Sequence, residues 1–180
     1  GSNNILVGSE AGEDITTGIE NVIIGKGAGK AMTANNANVV IGYLALDAAT
    51  GGEHYNIAIG SAALTAENSN ANYCVAIGKD ALAAQNGNVT NIAIGGLAGD
   101  AIVGGNKNTL IGHEAGTDLS SHSNTTCIGY QAGKGATSSN STVIGSLACA
   151  TLTMSGGNNT AVGQDALQAN TTGADNTAVG

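Results

Sequence analysis

Eleven short apolar runs in this 180-residue chain each end in Ile-Gly or Val-Gly. The glycines are Gly8, Gly25, Gly42, Gly60, Gly78, Gly95, Gly112, Gly129, Gly145, Gly163 and Gly180, and successive members lie 16 to 18 residues apart. A period sustained over the whole chain is typical of one small supersecondary unit that is stacked on itself. The repeat therefore predicts a solenoid of about ten turns.

The residues that fill this solenoid must be small, because Pro, Phe and Trp are absent and only four tyrosines are present. Aromatic side chains normally supply much of a large core. Here Val, Ile, Ala and Leu must form a thin one. The hydrophobic share of 42% is too high for a disordered polar tract, and the 29 glycines follow no collagen triplet.

Each apolar run predicts a short strand, because the residues one and three places before the glycine are almost all β-branched. Residues two apart share one face of a strand. We predict that the column directly before the glycine forms the interior of the coil. This roll-core column is Val7, Ile24, Ile41, Ile59, Ile77, Ile94, Ile111, Ile128, Ile144, Val162 and Val179.

The middle residue of each strand then points outward, and it is apolar in every repeat. Strands that are apolar on both faces are normally covered on both faces. We therefore predict that identical chains pack against this middle column as an oligomer interface. Its members are Leu6, Ile23, Val40, Ala58, Ala76, Ala93, Leu110, Cys127, Val143, Ala161 and Ala178.

Three further columns describe the rest of one turn. Asparagine recurs four places before the glycine, as at Asn38 and Asn56, and predicts a hydrogen-bonded ladder or turn contact. Alanine always occupies the third place after the glycine, which predicts a second, closely packed outer strand.

The place after this alanine alternates between two residue types. It is Leu in some turns and Gly in others, and the Gly turns carry a large apolar residue three places later, as in Gly29 with Met32. This pattern predicts volume compensation within one core. The turn with Cys149 and Leu152 is expected to follow the Gly type.

Together these columns predict an all-β fold: a β-solenoid, or β-roll, of about ten rungs of 16–18 residues with two short strands per rung. Residues 3–180 form a single repeat domain, which we expect to be a fragment of a longer fibre. Gly1-Ser2 resembles a tag remnant.

The charge pattern excludes several classes of partner. The net charge is −8 with only five Lys or Arg residues, so nucleic acid is not expected to bind. No apolar stretch approaches the roughly 20 residues that cross a bilayer, which predicts no membrane insertion by this segment.

Few residues suggest chemistry. His54, His113 and His122 lack metal-ligand or triad spacing, so neither a metal, nor a cofactor, nor a catalytic residue is predicted, although an ion on an oligomer axis stays open. The three cysteines are expected to be buried apolar residues.

Two other functions deserve comparison. An enzyme acting on surface glycans would need converging carboxylates, and Glu10, Asp80, Glu114 and Asp165 share one repeat position but lie in separate rungs. A threonine column from Thr109 to Thr177 could suggest an ice-binding face. Because these threonines replace Val and Ile that we place inside the coil, core packing is the expected role.

The repeats Asn159-Thr-Ala-Val-Gly-Gln-Asp-Ala-Leu and Asn56-Ile-Ala-Ile-Gly-Ser-Ala-Ala-Leu resemble two related groups. One is the N-T-A-V-G-x-x-A-L repeat of phage tail fibres. The other is the head of trimeric autotransporter adhesins, whose repeat is shorter and has Ser where Ala stands here. The resemblance implies left-handed coiling and a homotrimer.

The resemblance also implies a function. We expect a non-enzymatic structural and receptor-binding segment of a trimeric phage tail fibre in the virion, whose partner is a glycan or protein on the host cell surface. The alternative is an adhesin head on the bacterial cell surface that binds host surface or matrix. Variable outer residues would recognise the receptor, among them Tyr43, Tyr55, Tyr73 and Tyr130.

Overall fold

The computed structural model is an all-β solenoid of about ten turns, and it describes residues 1–50, 52–67, 70–87, 89–136, 138–150 and 155–180. These residues form a single parallel sheet of eleven strands in chain order, and none of them is helical. The strands are β1 (Ile5–Val7), β2 (Val22–Ile24), β3 (Val39–Ile41), β4 (Ile57–Ile59), β5 (Val75–Ile77), β6 (Ile92–Ile94), β7 (Thr109–Ile111), β8 (Thr126–Ile128), β9 (Thr142–Ile144), β10 (Thr160–Val162) and β11 (Thr177–Val179).

Every strand pairs with the next one at the same register, so equivalent residues of successive repeats lie side by side. Ala58, for example, pairs with Ala76, and Ala76 pairs with Ala93. Neighbouring strands lie about 4.8 Å apart, so ten steps give a rod about 48 Å long. The repeat period therefore translates directly into one strand per turn of the solenoid.

The repeat glycines mark the place where successive turns approach most closely. Gly78 has φ of +135°, and a Cβ built on it would lie 2.5 Å from the carbonyl oxygen of Gly95 in the next turn. Gly129 meets the oxygen of Gly145 at 2.6 Å in the same way. Only glycine satisfies both the backbone angle and the spacing.

The predicted second strand is wrong, because the described residues that follow each glycine form turns. Residues in the left-handed region alternate there, as shown by Ala62 and Leu64, which both have φ of 55°. Left-handed residues curl the chain and prevent an extended strand. Hydrogen bonds to the next turn nevertheless persist, and the Leu64 N–H donates to the Ala81 carbonyl at 3.0 Å.

The assignment of the inner and outer columns is also wrong, since the structure reverses it. The middle residue of each strand is the interior of the roll and cannot be an interface between chains. Nine of the eleven members are fully buried within one chain, whereas Leu6 is 45% exposed and Ala178 is partly exposed. The buried nine are Ile23, Val40, Ala58, Ala76, Ala93, Leu110, Cys127, Val143 and Ala161.

The predicted roll-core column points outward instead. Its members are half-buried or exposed, with Ile94 at 36% and Val7 at 55%. The reason is the alternation of the strand: the asparagine two places before the middle residue turns inward, so the middle residue must turn inward as well. The displaced column is Val7, Ile24, Ile41, Ile59, Ile77, Ile94, Ile111, Ile128, Ile144, Val162 and Val179.

The alanine column and the volume compensation are confirmed. Ala28, Ala45 and Ala63 are fully buried. A Cβ built on Gly29 would lie 2.6 Å from Met32 Sδ, so the methionine occupies the space that Leu fills in other turns. Leu152 lies outside the described residues.

Candidate interaction surface

The outward side of the sheet is the largest regular surface of the molecule. It consists of two columns, the first and third residues of each strand, which we call the outer face. In β1–β6 both columns are Ile or Val, and in β7–β11 the first column is threonine. No charged residue occurs in either column. Exposed aliphatic residues in such a continuous array mark an interaction surface.

Buried asparagines hold the strands of this face in register. Asn38 Nδ2 donates to the Glu53 carbonyl at 2.9 Å, while Asn38 Oδ1 accepts the N–H of Asn56 at 2.8 Å. The Asn21 Oδ1 accepts the N–H of Asn38 at 2.9 Å. The predicted ladder is therefore present, and each side chain ties one turn to the next. Cys74, Thr125 and Ser141 take the asparagine place in three turns and are buried as well.

The four tyrosines are all more than half exposed. Tyr55 and Tyr73 precede consecutive strands and stack with ring centroids 5.1 Å apart and planes at 4°. Tyr130 stacks on His113 with centroids 5.9 Å apart, whereas Tyr43 follows β3. Aromatic rings with one polar end are enriched at binding surfaces.

The acidic residues weighed for an enzyme do not converge. Glu10 forms an ion pair with Lys30 at 2.9 Å, Asp80 pairs with Lys79, and Glu114 pairs with Lys134. The Lys134 hydrogen bond, followed by that of Gln131, lowers the pKa of Glu114. Asp165 accepts hydrogen bonds from Gln164 and Gln168. These four carboxylates lie on different turns, each with its own partners.

The histidines and cysteines are also dispersed. His54 Nδ1 accepts the N–H of Asn36 at 3.0 Å, which gives this side chain a structural role. Among the described residues, no three His, Cys, Asp or Glu side chains form a group that could hold a metal ion. All three cysteines are buried, and burial raises the pKa of Cys127 to about 12 and that of Cys149 to about 11.

Sequence reasoning missed a set of buried polar side chains in the turns. Glu53, Glu67 and Gln85 are fully buried. Glu67 Oε1 accepts the N–H of Ala71 at 3.4 Å, and Glu53 Oε1 accepts the N–H of Asn70 at 3.2 Å. The signal was present, since Glu67 and Gln85 occupy the place where other turns carry Met or Ile. A polar residue there replaces apolar filling with turn hydrogen bonds.

The reversed columns also left a signal in the sequence. Leu6 and Ile23 occur in turns with Gly after the alanine, while Ala58 and Ala76 occur in turns with Leu there. Large residues in the middle column thus compensate for a missing leucine. That covariation shows that both places share one interior.

No family model, curated protein or solved structure matches this chain. The described part of the chain contains no pocket. It also contains no helix long and apolar enough to cross a membrane.

Proposed function

We propose that this chain is a structural and receptor-binding segment of a trimeric extracellular fibre, of the kind found in phage tail fibres. The observation that carries the proposal is the outer face, where both columns of β1–β6 are aliphatic and half-exposed. Left-handed coiling and three-fold symmetry come from the repeat resemblance and belong to the proposal.

The chemistry of this half-face favours another copy of the same chain as its partner. All eighteen charged residues lie outside its columns, so a copy can approach without desolvating a charge. A second copy also has the same strand spacing, so its side chains can fill the gaps between strands along the whole contact. Burial of branched aliphatic side chains contributes about 25 cal/mol per Å² of apolar surface.

The rod itself suits a spacer. Each turn contacts only its neighbours, so stability and length grow together by repeated equal steps. Receptor recognition would use the exposed tyrosines, especially the stacked pair Tyr55 and Tyr73. Several fibres acting together make weak glycan or protein contacts sufficient.

The oligomer is tested by light scattering coupled to size-exclusion chromatography. We expect a trimer at micromolar concentration and a monomer for Val75→Lys, which places a charge in the centre of the half-face. Val103→Lys is the matched control, because Val103 is 51% exposed but lies outside the strands. A monomeric parent chain, or a trimer that survives Val75→Lys, contradicts the proposal.

Receptor recognition is tested separately by binding to bacterial cells and to a glycan array. Tyr55→Ala combined with Tyr73→Ala should reduce binding while leaving the trimer intact. Binding that is unchanged would place recognition elsewhere.

A further inference from the structure

The second half of the outer face has a different chemistry from the first. In β7–β11 the first column is Thr109, Thr126, Thr142, Thr160 and Thr177, and the third column is Ile or Val. The reversal of the columns brings these threonines to the surface, where they are half-buried or exposed. The reason for assigning them to the core is therefore removed.

These threonine hydroxyls have no hydrogen-bond partner within the described part of the chain. Other threonines are engaged: Thr125 Oγ1 donates to the Ser138 carbonyl at 3.2 Å, and Thr65 Oγ1 to the Leu44 carbonyl at 2.9 Å. A free hydroxyl at the surface must bond water. The five side chains thus hold a row of water molecules, one for each turn.

The spacing of this array is set by the backbone. Strands in register lie about 4.8 Å apart, and residues two apart on a strand lie about 6.7 Å apart. The pairs Thr109 with Thr126, Thr126 with Thr142, and Thr142 with Thr160 all keep this register. Side-chain ladders such as the asparagine column favour an untwisted stack of strands. The result is a regular two-dimensional lattice of hydroxyl and methyl groups.

We infer that the β7–β11 half of the outer face binds ice. Water oxygens in hexagonal ice repeat at spacings close to those of this lattice. Hydroxyls would anchor ordered water, while the flanking methyl groups, which cannot hydrogen-bond, would favour water that bonds to itself. The ordering cost is small because the backbone holds both columns rigidly.

Charge supports this ligand over a protein partner. Neither column carries a charge that would retain a strongly bound, disordered hydration shell. A dry protein interface would instead have to bury five unpaired hydroxyls, each at a cost of about 1–3 kcal/mol. The inference goes beyond the proposed fibre role, which uses the β1–β6 half, and does not depend on it.

The experiment measures thermal hysteresis, ice-crystal shape and the uptake of fluorescently labelled chain into growing ice. We expect faceted crystals, a freezing point below the melting point and labelled ice. Thr142→Tyr, in the central strand of the array, should abolish most of this activity, and Thr126→Tyr provides an independent variant. The matched control is Thr172→Tyr, because Thr172 is exposed but lies outside the array.

Val75→Lys separates this inference from the fibre proposal, since it should abolish assembly and leave ice binding unchanged. Circular dichroism of each variant checks that it is folded. The inference is overturned if the folded parent chain is excluded from ice as serum albumin is, including when its oligomer covers the threonines. It is also overturned if both array variants keep the full activity.

Discussion

The repeat glycines allow a sharp test of how the turns are stacked. Gly78→Ala introduces a Cβ into a residue with φ of +135°, 2.5 Å from the Gly95 carbonyl oxygen. The backbone conformation alone costs about 1–3 kcal/mol for a residue with a side chain. Separating the two turns adds an overpacking cost of about 1–3 kcal/mol. It also weakens the hydrogen bond from the Gly95 N–H to the Ile77 carbonyl, now 2.7 Å.

We therefore expect Gly78→Ala to lower the free energy of unfolding by about 4 kcal/mol. Guanidinium denaturation followed by far-UV circular dichroism measures this value. Gly104→Ala is the first control, because a Cβ there meets no heavy atom within 4 Å. Gly180→Ala is the second, since Gly180 shares the φ of +139° but has nothing within 4 Å.

The ranking of these three variants carries the test. Gly78→Ala should be the most damaging, Gly180→Ala intermediate and Gly104→Ala nearly neutral. If Gly78→Ala unfolds at the same denaturant concentration as Gly104→Ala, the close stacking at the glycine column is refuted.

Three other predictions follow from burial. Ala76→Asp should destabilise the fold by at least about 3 kcal/mol, because the charge enters the interior, whereas Val75→Lys should leave the melting temperature almost unchanged; equal losses in a thermal melt would contradict the column assignment. Burial, reinforced by two neighbouring aspartates, raises the pKa of Asp100, so its ionisation opposes folding as pH rises above the ordinary value of 3.8; Asp100→Asn should therefore raise the melting temperature at pH ~7 and leave it unchanged at pH ~3, below both pKa values. Cys127 and Cys149 should resist iodoacetamide until the chain is denatured, because only the thiolate reacts; mass spectrometry of the native protein would expose the error if both were rapidly modified.

The sequence predicted the strands well because their signal is local and repeated. β-Branched residues at fixed distances from glycine gave all eleven strands, and the invariant alanine gave the tight packing behind them. The Gly29 and Met32 pair showed how side-chain volume is shared. Each of these features depends on residue size at a fixed repeat position, which the sequence displays directly.

The direction of the strand faces was not apparent, because both faces carry apolar residues. Ile24 and Ile23 are equally hydrophobic, and only the inward turn of Asn21 distinguishes them. The turns were missed for a related reason. Left-handed backbone falls on 25 residues other than glycine, including Leu44 and Ala62, whose side chains do not favour it. The stacking of the turns imposes that conformation.

The stacked turns can even override an unfavourable backbone preference, with one exception. Tyr55 and Tyr73 adopt φ near +60° at the place before the strand, whereas Thr90 at the same place does not. A β-branched side chain makes that conformation too costly. The turn therefore adapts to the residue only where the residue cannot adapt to the turn.

The shared interior of neighbouring turns has a consequence for changing the length of the rod. A Cβ on Gly99 would lie 2.6 Å from Leu110 of the following turn and 3.1 Å from Leu82 of the preceding turn. The backbone repeats, but each turn is filled partly by side chains of its neighbours. Removing one whole repeat would preserve the outline and join two interiors that were never fitted to each other. Shortened or shuffled rods will therefore tolerate junctions only between turns whose large and small residues are complementary.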